Sequence, residues 1–317
     1  MKPTIRGNLI ALAGASAIDW QSEVTRTLQQ QNLSVFNNQN PIFDIMSQET
    51  EINNEVYFTK SYCQILIGVL LPNFPSSVSC QLLLEYSQFF RHNCILVIPD
   101  YNNNSQKDTL EFNHQKDVNR QRTYLRETAL NLGAKIFDTI EEATEYAITL
   151  SVKWGNTVGT FGACGKTTWR SEYFSPMTLN MNHFNPQQEV WRPEMMIEEQ
   201  EAKQYCNVLY LNLNDVPLEQ VTLGLVSQDE TWFLSTEPRN IIIVYNPELD
   251  KNAMTLLEEK HQEDYSEARM QIATKLEIAK NVNPYLKWVR TVEEGMEALQ
   301  EIQKQMKTAQ KVFALTA

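Results

Sequence analysis

Lys166, Thr167 and Arg170 fall close together in the second half of the chain, just after the glycines Gly162 and Gly165. They stand where an apolar run, Val158 to Phe161, gives way to a small-residue turn and then a helix. Backbone N–H groups at such a turn, with basic side chains beside them, can hold a phosphate or another small anion. The string from Gly159 to Thr167 approaches a P-loop but misses its spacing, because Gly159 stands one residue too early. The corresponding turn of the first half, Gly14-Ala15-Ser16, is followed by Asp19 and Trp20. An indole there can floor a pocket by stacking on a base, or it can equally fill the core.

Other chemistries lack a constellation. The four histidines (His92, His114, His183, His261) are scattered without metal-ligand spacing, and there is no G-x-S-x-G nucleophile turn. Five cysteines (Cys63, Cys80, Cys94, Cys164, Cys206), an odd number with mostly apolar neighbours, read as buried free thiols in a reducing compartment. The formal net charge of -12 excludes the basic footprint of a nucleic-acid binder. The apolar stretch near the N-terminus, about six residues, is too short for a signal or membrane segment, so no membrane partner and a cytoplasmic location are expected. No metal or cofactor is called for by any motif.

These residues must be positioned by a repeated scaffold. A length of 317 residues suits two domains, and the anchors recur in order. Ile10 to Ser16 with Trp20 matches Val158 to Cys164 with Trp169, and Val35-Phe36-Asn37 matches His183-Phe184-Asn185. Ser61 to Leu66 matches Gln204 to Leu209, and Cys94 to Pro99 matches Ile241 to Pro247. Ile136 to Glu142 matches Trp288 to Glu294. Short apolar runs alternating with helical patterns predict an α/β fold: two tandem flavodoxin- or Rossmann-like domains, 1–152 and 153–317, each a parallel sheet flanked by helices on both faces. Asp250 to Lys280 reads as a long helix, with Asn102 to Asn113 as its looser counterpart loop. Ligands of such sheets sit beyond the carboxyl ends of the strands, so the residues after Leu12, Phe36 and Leu70 and their equivalents are the first places to look.

Both copies resemble the nucleoside 2-deoxyribosyltransferase superfamily. The family's opening strand, glycine and tryptophan is similar to Ile10 to Gly14 with Asp19-Trp20, and to Phe161-Gly162 with Thr168-Trp169-Arg170. Its Asn-Pro followed by acidic residues and a tryptophan resembles Asn185-Pro186 with Glu189, Trp191 and Glu194 in copy two, and more loosely Asn37, Pro41 and Asp44 in copy one. Where the family ends a helix in Ala-Asp before the next strand, this chain has Gln64 and Asn207, amides that cannot act as acids or bases near neutral pH.

The resemblance implies Glu85, after Leu82-Leu83-Leu84, as the carboxylate that would trap the anomeric carbon as a covalent glycosyl-enzyme; otherwise Glu85 is an exposed residue of an amphipathic helix. It implies Asp44 as an acid toward the base or a holder of a sugar hydroxyl, the alternative being a loop aspartate that caps a helix. Gly14, Ser16, Asp19, Trp20, Asn37, Gly162, Lys166, Trp169, Arg170, Asn185 and Glu189 would contact substrate. In copy two, Thr222 to Glu230 offers no glutamate at the nucleophile position.

The first expectation is therefore a transferase or hydrolase of nucleoside or nucleotide N-glycosidic bonds. The alternative is a catalytically inactive nucleotide-binding protein on the duplicated fold, favoured by Gln64 and Asn207. A pure scaffold is a third reading that no residue specifically supports. The family completes its sites at subunit contacts, which implies an internal pseudo-dimer here and leaves room for a homo-oligomer.

Overall fold

The computed structural model describes residues 9–15, 20–37, 59–60, 63–102, 105, 107, 109–162, 168–174, 181–187, 192–214, 231, 234–249 and 259–314. The chain divides into two compact units, in the main Gly7–Gly155 and Asn156–Lys307.

In the first unit the order is β1 (Leu9–Gly14), α1 (Trp20–Gln30), β2 (Val35–Asn37), β3 (Cys63–Val69), α2 (Ser77–Phe90), β4 (Cys94–Val97), α3 (Leu110–Asn131), β5 (Lys135–Phe137) and α4 (Ile140–Trp154). In the second it is β6 (Thr157–Gly162), α5 (Trp169–Tyr173), β7 (Asn182–Phe184), α6 (Pro193–Tyr205), β8 (Val208–Asn212), β9 (Asn240–Val244), α7 (Glu259–Val282), β10 (Leu286–Val289) and α8 (Val292–Ala314). Each unit forms a five-stranded sheet, β2-β1-β3-β4-β5 and β7-β6-β8-β9-β10, and every pairing is parallel. The two orders are the same when the strands of each unit are counted from its own first strand.

Local chemistry explains these elements. All seven residues of β3 and all five of β9 are buried, as parallel strands covered on both faces require. Each such buried aliphatic side chain contributes about 1.5–3 kcal/mol. On α1, Trp20, Val24 and Leu28 recur at a spacing of four and form the buried stripe. The repeated Thr-x-Glu-Glu segments start α4 and α8 in the same way. Thr139 Oγ1 accepts from Glu142 N at 3.2 Å while the Glu142 carboxylate accepts from Thr139 N at 3.3 Å. Thr291 and Glu294 repeat both bonds, at 3.2 and 3.3 Å, so each helix start satisfies two otherwise orphan donors.

One boundary differs from the sequence expectation. The last four residues of the span read as a loop, Leu110 to Asn113, already belong to α3, whose Thr109 cap accepts from Phe112 N at 3.2 Å. The Asn, Gln and His content of that helix hides its periodicity, because its outer face carries the polar residues. The equivalent helix α7 is of similar length. Among the described residues, no helix is long and apolar enough to cross a membrane.

Candidate functional site

In each sheet the chain leaves its first strand to one side, forms the edge strand, then returns across to the other side. The exits of β1 and β3, and of β6 and β8, therefore diverge at a topological switch point, where open α/β sheets leave a crevice. A glycine ends the first strand in both units, and both lie in the region disfavoured for other residues: Gly14 at φ 124° and Gly162 at φ 132°. A Cβ on Gly14 would stand 2.0 Å from the Val69 carbonyl oxygen, and one on Gly162 would stand 2.3 Å from that of Asn212. The bare glycine lets the two strand exits touch, and Ala15 N donates to Val69 O at 2.9 Å.

The tryptophans predicted after these turns both lie in the core. Trp20 is buried and its Nε1 donates to Ala15 O at 2.7 Å, so it ties the turn to α1. Trp169 is buried as well, stacked on Tyr210 with centroids 5.7 Å apart and edge-on to Phe174. Neither indole offers a free stacking face of the kind a pocket floor needs. Arg170, only 1% exposed, lies with Cζ 4.5 Å over the Trp169 ring and donates from Nη2 to the Gly162 carbonyl at 3.4 Å. Its equivalent in the first unit, Gln21, is also buried.

At the ends of the edge strands, Asn37 Nδ2 donates to Thr25 Oγ1 at 3.3 Å, while its buried Oδ1 has no partner among the described residues. Asn185 Oδ1 accepts from Gln187 N at 2.9 Å and shapes the turn after β7. Ser16, Asp19, Asp44, Lys166 and Glu189, together with Thr167 and Thr222 to Glu230, lie outside the described residues.

Glu85 is placed away from this edge. It is the ninth residue of α2, about 12 Å along the helix axis from Ser77, and its exposed carboxylate pairs with Lys60. Lys60 stands three residues before β3, at the amino edge of the sheet, and its ammonium also lies over the Phe89 ring. Lys203, equally three residues before Cys206, pairs with Glu199 at 2.7 Å and lies over the Phe161 ring. Gln64 and Asn207 are buried at the same amino edge, so their amides stand far from any ligand beyond the strand exits.

Three features escaped the sequence reading. Arg122 is fully buried on α3 and grips the strand exits, donating to the carbonyls of Leu71 (2.9 Å), Phe74 and Pro99 (2.5 Å). Burial pulls its pKa down, while the guanidinium donates to these backbone carbonyls. Arg269 on α7 repeats the grip on Leu213 O at 3.3 Å, and the two guanidiniums lie over Tyr101 and Tyr245. Their signal was an arginine on an apolar stripe: Arg122 precedes Leu125 and Ala129, and Arg269 precedes Ile272 and Leu276, at the same spacing of three and seven.

The second feature is His183, which replaces Val35 of the first unit. Its Nε2 lies 2.8 Å from Thr160 Oγ1 and its ring stacks on Phe174. Burial, then the charge of Arg170, push its pKa down to about 4, so it is neutral at pH 7. The third is Asn214, which joins three strand exits of the second sheet. It accepts from Asn246 N at 2.6 Å and donates to Arg290 O at 2.7 Å, while its own N–H is held by Asn212 Oδ1.

Among the described residues, no group of three or more His, Cys, Asp or Glu could hold a metal ion. The four described cysteines are buried free thiols, Cys94 and Cys206 pushed up to about 12 by burial. Comparison with protein-family models, curated proteins and solved structures finds no match to this chain.

Proposed function

We propose that this chain is a small-molecule binding protein whose ligands, of nucleoside or nucleotide size, sit beyond the carboxyl ends of the strands at the two switch points, and that it does not use Glu85 as a nucleophile. The observation that carries this reading is the paired glycine geometry. Gly14 and Gly162 occupy the same place in both sheets and hold the backbone in a conformation that brings one strand exit onto the next. Strained backbone of this kind costs of order 1–3 kcal/mol for residues with a Cβ, and it is kept where close backbone approach is needed. Arg122, Arg269 and Asn214 add to the support by fixing neighbouring strand exits in advance of binding.

Glycosyl transfer needs a carboxylate within reach of the anomeric carbon. That Glu85 is exposed and paired with Lys60 speaks against this role. The resemblance to deoxyribosyltransferases then bears on the architecture and ligand size, and less on the reaction. Incubation with a panel of nucleosides and nucleotides, with free base followed by chromatography and binding by calorimetry, tests the proposal. Saturable binding without base release is the expected result. Base release that disappears in Glu85→Gln would overturn it.

A further inference from the structure

An open cavity of about 490 Å³ lies along the first four turns of α3. That volume falls within the roughly 300–1,000 Å³ typical of small-molecule sites. Its described lining forms two adjacent ridges of the helix, Phe112, Lys116 and Arg120 at a spacing of four, and Gln115, Asn119 and Thr123 at the same spacing. The helix follows β4 in the chain, so its first turn begins on the carboxyl side of the first sheet.

The second ridge is held rigidly. Asn119 Oδ1 accepts from Tyr101 N at 2.6 Å, and Asn119 and Gln115 both donate to Tyr101 O, at 3.0 and 3.1 Å. Gln115 Oε1 accepts from Ser105 at 2.8 Å, and the Thr123 hydroxyl donates to Asn119 O at 2.9 Å. The first ridge presents a ring followed by two cations one turn apart. Lys116 makes no ion pair among the described residues, and Arg120 has only the highly exposed Asp117 at 3.4 Å, a contact worth little in water. The described lining contains no carboxylate. In a chain of net charge -12, two adjacent cations beside a phenyl ring mark a local preference for negative charge.

We propose that this cavity binds a small anion bearing a planar ring, its charged group against Lys116 and Arg120 and its ring against Phe112. The test is calorimetric titration with adenosine 5′-monophosphate, adenosine and inorganic phosphate, on the full chain and on two variants. Wild-type protein binds the monophosphate more tightly than either fragment, and the affinity falls as salt rises. The double variant Lys116→Glu, Arg120→Glu weakens the monophosphate at least tenfold. Phe112→Ala weakens the monophosphate and leaves inorganic phosphate unchanged. Lys116 and Arg120 are exposed, so unchanged thermal unfolding of the double variant verifies its fold. Equal affinity for the monophosphate in wild type and double variant would place its binding elsewhere and overturn the proposal, as would the absence of heat with all three probes at millimolar concentration. Equal affinity in wild type and double variant overturns this proposal alone and leaves the switch-point reading standing, whereas absence of heat with adenosine as well counts against both.

Discussion

Lowering the pH from 7 to 4.5 should destabilise the second unit through one side chain, His183. In the folded chain its pKa is about 4, because the ring is half-buried against Thr160 and Phe174 and faces the charge of Arg170. In the unfolded chain it returns to about 6.5. Below that value the unfolded chain takes up a proton that the folded ring refuses, so stability is lost as the pH falls from about 6.5 toward 4. The whole shift corresponds to roughly 3 kcal/mol; the ring is partly exposed, and solvent screening reduces the expected effect to about 1–2 kcal/mol. His183→Gln keeps a hydrogen-bonding group beside Thr160 and removes the titration. Chemical denaturation of wild type and variant at pH 7.5, 6 and 4.5 isolates the histidine from the many carboxylates that titrate over the same range. The stability difference should move in the variant's favour by about 1–2 kcal/mol between the two extremes. A difference independent of pH, or a proton NMR titration placing His183 above pH 6, would refute the reasoning.

Gly14→Ala should destabilise the first unit by about 2–4 kcal/mol, since the new Cβ meets the Val69 carbonyl at a backbone angle that L residues rarely adopt; a melting temperature equal to wild type would contradict this. Arg122→Met removes three backbone contacts and leaves the carbonyls of Leu71, Phe74 and Pro99 buried, at a cost of about 2–4 kcal/mol. Faster amide exchange at the exits of β3 and β4 should accompany that loss, and unchanged exchange there would show that the arginine does not hold them. Glu85→Gln breaks an exposed ion pair and should change stability by less than about 1 kcal/mol, as read by urea denaturation.

The architecture was legible because fully apolar runs such as Ile241 to Val244 can be strands only inside a covered parallel sheet, and because Ile136 to Glu142 recurs as Trp288 to Glu294 at the close of each half. Gly14 and Gly162 were also legible, since each ends an apolar strand in small residues. The position of Glu85 was not. A register counted from motif residues does not tell how far along a helix a side chain stands from the strand exits, and Lys60, its partner, is 25 positions away in the sequence. Gln64, the second residue of β3, and Asn207, just before β8, stand at the amino edge of their sheets, a placement that follows from the strand bounds rather than from their residue types. His183 and Arg170 looked unrelated in the sequence and are brought together only when β7 pairs with β6.

Hydrogen–deuterium exchange with and without a saturating nucleoside tests the central claim most directly, because it locates the ligand without assuming a reaction. Slower exchange is predicted around Gly14 and Leu70, around Gly162 and Leu213, or at both switch points, with the middle of α2 unaffected. Protection centred on Glu85, with the strand exits exchanging as in the free protein, would contradict the account.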